Sequence, residues 1–169
     1  MKTKKNLFKI LVASVMVVVL MMTSTGVSVL AKKKAKDKGY QFTYNKVTIY
    51  MGGPAKDFIK KAGKPVSYKE SKSCAYKGKD RTYQYDDFIL YTYSNSDKGA
   101  EYVCGITFLT NKVQTKEGIK IGTDQKNITK KYGKAKAKYG IYTYKKGNSK
   151  IQIEVTNKKV SNIRYVLAK

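Results

Sequence analysis

The residues able to do chemistry in this 169-residue chain are few, and their types exclude more than they suggest. Histidine is absent, which removes the commonest general base, the commonest metal ligand and most nucleophile–base triads together. The 11 acidic residues are scattered, and only Asp86 and Asp87 stand side by side. Neighbours on a strand point to opposite faces, so these carboxylates converge as an acid–base couple only where the chain turns, and a turn is itself the ordinary use of such a pair. Cys74 and Cys104 have neither CxxC spacing nor a histidine to activate a thiolate. Gly52-Gly53-Pro54 offers backbone N–H groups to an anion at a helix start, but the same three residues suit a plain turn and N-terminus. The chain reads as non-enzymatic, with no metal or cofactor site expected.

What remains is surface chemistry. Basic residues number 36 against 11 acidic ones, for a net charge of +25, and only Arg81 and Arg164 among them are arginines. Lysine is a hydrated point charge, whereas geometric reading of phosphates or bases favours the guanidinium fork. The balance points to diffuse, salt-sensitive attraction to a polyanion, or simply to solubility, and not to a specific nucleic-acid site. The chain also has 15 tyrosines. Tyr83 with Tyr85, Tyr91 with Tyr93, and Tyr142 with Tyr144 are each two apart, so the members of a pair share one face of a strand. With Arg164 they form the candidate binding face, since tyrosine combines a rigid apolar surface with a polar tip. Core packing or cross-strand ladders are the other use of such pairs, and strand register decides between the two.

The elements that must position these residues begin after an expected secretory signal. Lys2, Lys4, Lys5 and Lys9 precede an apolar run, Ile10 to Met22, broken only by Ser14, and Val29-Leu30-Ala31 supplies small residues around a cleavage point. Residues 1–31 are read as a signal peptide, which places the protein outside the cytoplasmic membrane with no stable span after cleavage. The uncharged stretch from Ile10 to Leu30 is also long enough for an N-terminal membrane anchor if left uncleaved. Losing four lysines and no acid lowers the charge to +21. Residues 32–41 (KKKAKDKGYQ) read as a basic, disordered lead-in. In an oxidising compartment, two cysteines are expected to pair. A Cys74–Cys104 disulfide would close a 29-residue loop and stabilise the fold by roughly 3–4 kcal/mol.

From residue 42 the sequence matches itself. Ile49 to Gly52 aligns with Ile119 to Gly122, Phe58 with Ile128, and Gly63-Lys64 with Gly133-Lys134. Further along, Tyr83 and Tyr85 align with Tyr142 and Tyr144, and Val103 to Phe108 with Val160 to Tyr165. Residues 42–110 and 111–169 are read as two tandem repeats, which together make one or two domains. Ala55, Phe58, Ile59 and Ala62 fall at i, i+3, i+4 and i+7, one helical face with Pro54 before it and Gly63 behind. Gln125, Ile128 and Tyr132 repeat that face after Thr123 as N-cap. Helices of two turns need a surface to lie on, and β-rich segments such as Ile151, Ile153 and Val155, alternating with polar residues, supply it. The expected fold is α+β, two repeats each with a short helix packed on an antiparallel sheet of about three to four strands, with one continuous sheet, helices on one face, as the joined form.

The repeated pattern carried by Ile119, Ile121, Gly122, Ile128, Gly133, Tyr142, Tyr144, Val160, Ile163 and Tyr165, with a looser copy over 49–108, is similar to that of the β-lactamase-inhibitor-protein-like family. It also resembles small lipoproteins of outer-membrane assembly, and within the group looks most like secreted proteins of Gram-positive anaerobes. The resemblance implies tandem helix-plus-sheet units whose curved sheet grips a partner protein. This chain departs from it in having no Trp, two cysteines in all after the signal, and a more basic surface. The function expected is that of a secreted binding protein at the cell surface, using a Tyr/Lys-rich sheet face to hold a protein or an anionic cell-wall polymer. The alternative is an inhibitor or chaperone-like partner of one exported protein.

Overall fold

The computed structural model describes residues 38–75 and 77–168, all within one compact unit, Lys36–Lys169. The expected signal over 1–31 and residues 32–37 of the lead-in lie outside the described residues. The order is β1 (Gln41–Tyr44), β2 (Val47–Tyr50), α1 (Lys56–Ala62), β3 (Ser67–Lys72), β4 (Lys79–Gln84), β5 (Phe88–Ser94), β6 (Glu101–Phe108), α2 (Gln125–Tyr132), β7 (Ile141–Lys146), β8 (Ser149–Thr156) and β9 (Lys159–Leu167).

The expected α+β fold of two helix-on-sheet repeats is not what forms. The chain is mostly β: one seven-stranded antiparallel sheet in the order β3-β4-β5-β6-β9-β8-β7, and a separate β1–β2 hairpin. The reason is the pairing of β6 with β9, where Gly105 faces Val166, Ile106 faces Tyr165 and Thr107 faces Arg164. That ladder joins the strands from both halves of the chain into a single sheet. The helices, of seven and eight residues, bury one side chain each, Phe58 and Ile128. They are too short to stand alone and contribute coverage more than architecture.

Alternation sets the two faces of the large sheet. In β5, Phe88, Leu90, Thr92 and Ser94 are buried while Ile89, Tyr91 and Tyr93 are half-buried. Cross-strand partners share a face, so the inner side gathers Leu90, Val103, Ile106, Ile151, Ile153, Ile163 and Tyr165 into one core with Phe42, Phe58 and Ile128. The β1–β2 hairpin, α1 and α2 cover that side. The hairpin turns on Asn45-Lys46, and β8–β9 on Asn157-Lys158, with positive φ at both central positions in each, the backbone that matches strand twist in two-residue turns. The lead-in is not disordered to its expected end. Gly39 is buried, and the Tyr40 N–H donates to Ser149 Oγ at 2.7 Å before β1 begins at Gln41.

The approach to each helix is held by the same backbone bonds. Gly52 N–H donates to Val103 O, Val103 N–H to Gly53 O, and Ala55 N–H to Glu101 O. Gly122 N–H donates to Val160 O, Val160 N–H to Thr123 O, and Gln125 N–H to Lys158 O. Thr123 is therefore not the cap of α2. Its hydroxyl accepts the Lys120 N–H at 3.1 Å, and Asp124 takes the N-cap position with its carboxylate on Lys159 at 2.8 Å.

Candidate functional site

The outer side of the seven-stranded sheet is covered by no element among the described residues. Register places Gln84, Ile89, Thr107, Arg164, Gln152 and Thr143 in one row across β4, β5, β6, β9, β8 and β7. The next row runs Thr82, Tyr91, Gly105, Val166, Lys150 and Lys145. Beyond it, Tyr93 pairs with Tyr102, ring centroids 5.7 Å apart. With strands about 4.8 Å apart, seven of them span about 30 Å, and the face amounts to roughly 600–800 Å², the size of one side of a standard protein interface.

The predicted tyrosines divide between the two sides. Tyr91, Tyr93 and Arg164 stand on the open face. Tyr83, Tyr85, Tyr142 and Tyr144 do not; they point to the inner side and belong to, or pack against, the core. Tyr85 stacks on Phe88 at 4.8 Å, and Tyr83 leans on Tyr68 at 5.0 Å with its phenol pushed upward in pKa by burial and then by Glu101. Tyr142 and Tyr144 hold α2 on the sheet: Gln125 Nε2 donates to the Tyr142 hydroxyl at 2.6 Å, and the Tyr144 hydroxyl donates to Gly133 O at 3.1 Å. Both pairs have the i, i+2 spacing of Tyr91 and Tyr93, so spacing alone did not separate them. Tyr102, Thr107 and Gln152 are open-face residues that spacing did not single out; their signal was alternation with the buried Val103, Phe108 and Ile151.

The disulfide does not form. Cys74, beyond the end of β3, is exposed, and Cys104, in β6, is half-buried, and both are free. Two strands, β4 and β5, lie between β3 and β6, a separation of about 14 Å, twice the reach of a disulfide. Cys104 is the extra residue of a β-bulge: Tyr91 faces Gly105 while the adjacent Thr92 faces Val103. Burial pushes its thiol up to about 11, with Asp80 adding to the effect.

The bulge and the glycine after it shape the middle of the open face. A side chain at Gly105 would come within 3.2 Å of the Tyr91 ring and 3.4 Å of Tyr165 O. Without one, a depression of about 350 Å³ forms, lined by Tyr91, Cys104, Gly105, Thr107, Arg164, Tyr165 and Val166. Arg81, the other arginine, lies on the inner side and is engaged, its Nε 2.8 Å from Glu70 and its Nη1 4.0 Å from Glu101. Arg164 has no ion pair or hydrogen bond to a described side chain.

The lysines lie elsewhere. The open face carries Lys69, Lys145, Lys150 and Arg164 against Asp80 and Glu154. Lys56, Lys60, Lys61 and Lys64 on and after α1, and Lys126, Lys130, Lys131 and Lys134 on and after α2, are exposed on the helix-covered side. The Gly-Gly-Pro segment is no anion cradle, since the N–H groups of Gly52 and Gly53 already donate to Val103 O and Tyr50 O. Among the described residues no group of three His, Cys, Asp or Glu could hold a metal ion, and no helix is long and apolar enough to cross a membrane.

No protein-family model matches the chain, and no curated protein does. Among solved structures it is similar to an extracellular protein containing an SCP domain from Bacillus anthracis, at 14% identity and a TM-score of 0.39. The match covers 69% of this chain and 43% of that one, so this chain spans less than half of that protein's length. A likeness of that degree carries no argument about this chain.

Proposed function

We propose that this chain is a secreted, non-enzymatic binding protein of the cell surface that offers the open face of its sheet to a partner protein. The observation that supports the reading is the uncovered seven-stranded face, with Tyr91 and Arg164 on its central strands and the Tyr93–Tyr102 pair toward one end of those strands. Tyrosine and arginine are the residues enriched in protein interfaces, and energetic hot spots sit near the centre of the contact. The lysine-led apolar run of residues 2–22 supports export. An inhibitor or chaperone-like partner of one exported protein uses the same face, and differs in having a single stoichiometric target. Crosslinking on intact cells, followed by identification of the captured protein, tests the reading. One stoichiometric partner lost on Tyr93→Ala with Tyr102→Ala supports it, and capture unchanged by that double variant overturns it.

A second reading is favoured by the lysines of α1 and α2. They face away from the sheet and suit attraction to an anionic cell-wall polymer, leaving the tyrosine face clear. Isolated cell walls should then retain the protein at low salt and release it as salt rises. Retention unchanged when Lys56, Lys60, Lys61 and Lys64 become Gln, together with Lys126, Lys130, Lys131 and Lys134, would sink this second reading.

A further inference from the structure

Resting on the open-face reading, we infer that the depression over Gly105 is a carboxylate-binding subsite, in which Arg164 receives an Asp or Glu side chain of the partner protein. Three observations and one general property of the guanidinium lead there. Arg164 lies in β9, one strand from the middle of the seven. It has no acidic partner among the described residues, whereas Arg81 has two. A guanidinium aligned with a carboxylate donates two parallel charge-assisted bonds, among the strongest single contacts a surface makes. Thr107 and Gln152, its in-register neighbours on β6 and β8, add a hydroxyl and an amide able to donate to the same oxygens.

The rest of the depression gives the carboxylate's stem an apolar surface. Gly105 leaves the floor bare, with Tyr91 on one side and Val166 on the other. A methylene chain or aromatic ring seated there is desolvated against tyrosine while its acid group reaches Arg164. An anionic polymer fits the position poorly. A run of phosphates needs a row of cations, and the open face holds four basic residues against Asp80 and Glu154, while the lysine clusters belong to the helices.

The chain's two arginines make the test direct, because an NMR spectrum of arginine side-chain Nε–Hε groups holds two signals. The full chain is titrated with 3-phenylpropanoate, with its neutral amide, and with inorganic phosphate. The expected result is a saturable shift of the Arg164 signal with 3-phenylpropanoate, none with the amide, and a much smaller one with phosphate. Arg81, already paired with Glu70, should not move. Arg164→Gln is expected to weaken binding about tenfold or more, read from backbone shifts around Gly105. Gly105→Val, which fills the floor, should do the same with the Arg164 signal retained. Equal movement of both arginines, binding of the amide, or phosphate binding as tightly as the carboxylate overturns the subsite. A captured partner that Tyr93→Ala with Tyr102→Ala releases but Arg164→Gln does not would also overturn it, and would leave the binding face standing.

Discussion

Phe42 and Phe88 meet edge to face with ring centroids 5.2 Å apart, and through that contact the β1–β2 hairpin closes the inner side of the large sheet. Phe42 is 1% exposed and also touches Phe58, Phe108 and Tyr165. One aromatic side chain thus joins the hairpin, α1 and three strands of the sheet. Phe42→Ala is expected to cost about 3–5 kcal/mol, measured by chemical denaturation of the full chain. A loss below about 1 kcal/mol would mean that the hairpin is not part of the cooperative core.

Ser149 is fully buried, accepts the Tyr40 N–H at 2.7 Å and donates to Lys146 O at 3.0 Å. Ser149→Ala leaves a partly buried amide without its acceptor, at a cost of about 1–3 kcal/mol. Gly39 beside it has φ of +76°, and a Cβ there would lie 2.3 Å from Ser149 Oγ and 2.6 Å from Lys146 O. Gly39→Ala should therefore release the segment leading into β1, seen as faster hydrogen exchange at Tyr40 and Gln41.

Glu70 is held down to about 2 by hydrogen bonds from Lys79 and Tyr68, with Arg81 adding to them. A carboxylate whose folded pKa is depressed contributes stability above its unfolded pKa, about 4.3, and loses it as pH falls toward the folded one. Glu70→Gln should flatten the dependence of stability on pH between about 4.5 and 2, while the wild type falls off through that window. An identical acid limb in both proteins would refute the assignment.

Burial holds Cys104 up to about 11, so at pH 8 its thiolate fraction is about a hundredfold below that of an ordinary thiol. Iodoacetamide is expected to label the exposed Cys74 first and Cys104 only as pH rises toward 11, with mass spectrometry locating the label. The same spectra without reductant should show no loss of two hydrogens from an internal disulfide.

Lys46 and Lys158 sit in two-residue turns with φ of 64° and 61°, where a Cβ is disfavoured and glycine is not. Lys158→Gly should raise stability by roughly 0.5–1 kcal/mol, after the entropy glycine adds to the unfolded chain. A destabilised variant would show that the lysine side chain itself supports the hairpin.

What the residues determined unaided is local. The spacing of Phe58, Ile59 and Ala62 before Gly63 marks α1, Ile128 and Tyr132 before Gly133 mark α2, and the alternation of Ile151 with Ile153 marks β8, because each pattern reports neighbours one turn or one pleat away. That histidine is absent and the carboxylates are scattered along the chain is likewise read without a fold. Tertiary structure decided the rest, since it depends on partners far along the chain. Tyr91 and Tyr142 each open a Tyr-x-Tyr pair, yet one faces outward and the other inward, because their strands are locked in register to Gly105 and Ile153 respectively. The β6–β9 ladder decided that the strands of both halves form one sheet, and the same strand order put β4 and β5 between the cysteines. Arg164 came to stand between Thr107 and Gln152 on the open face only through pairing with strands far along the chain, since those residues lie 57 and 12 positions before it.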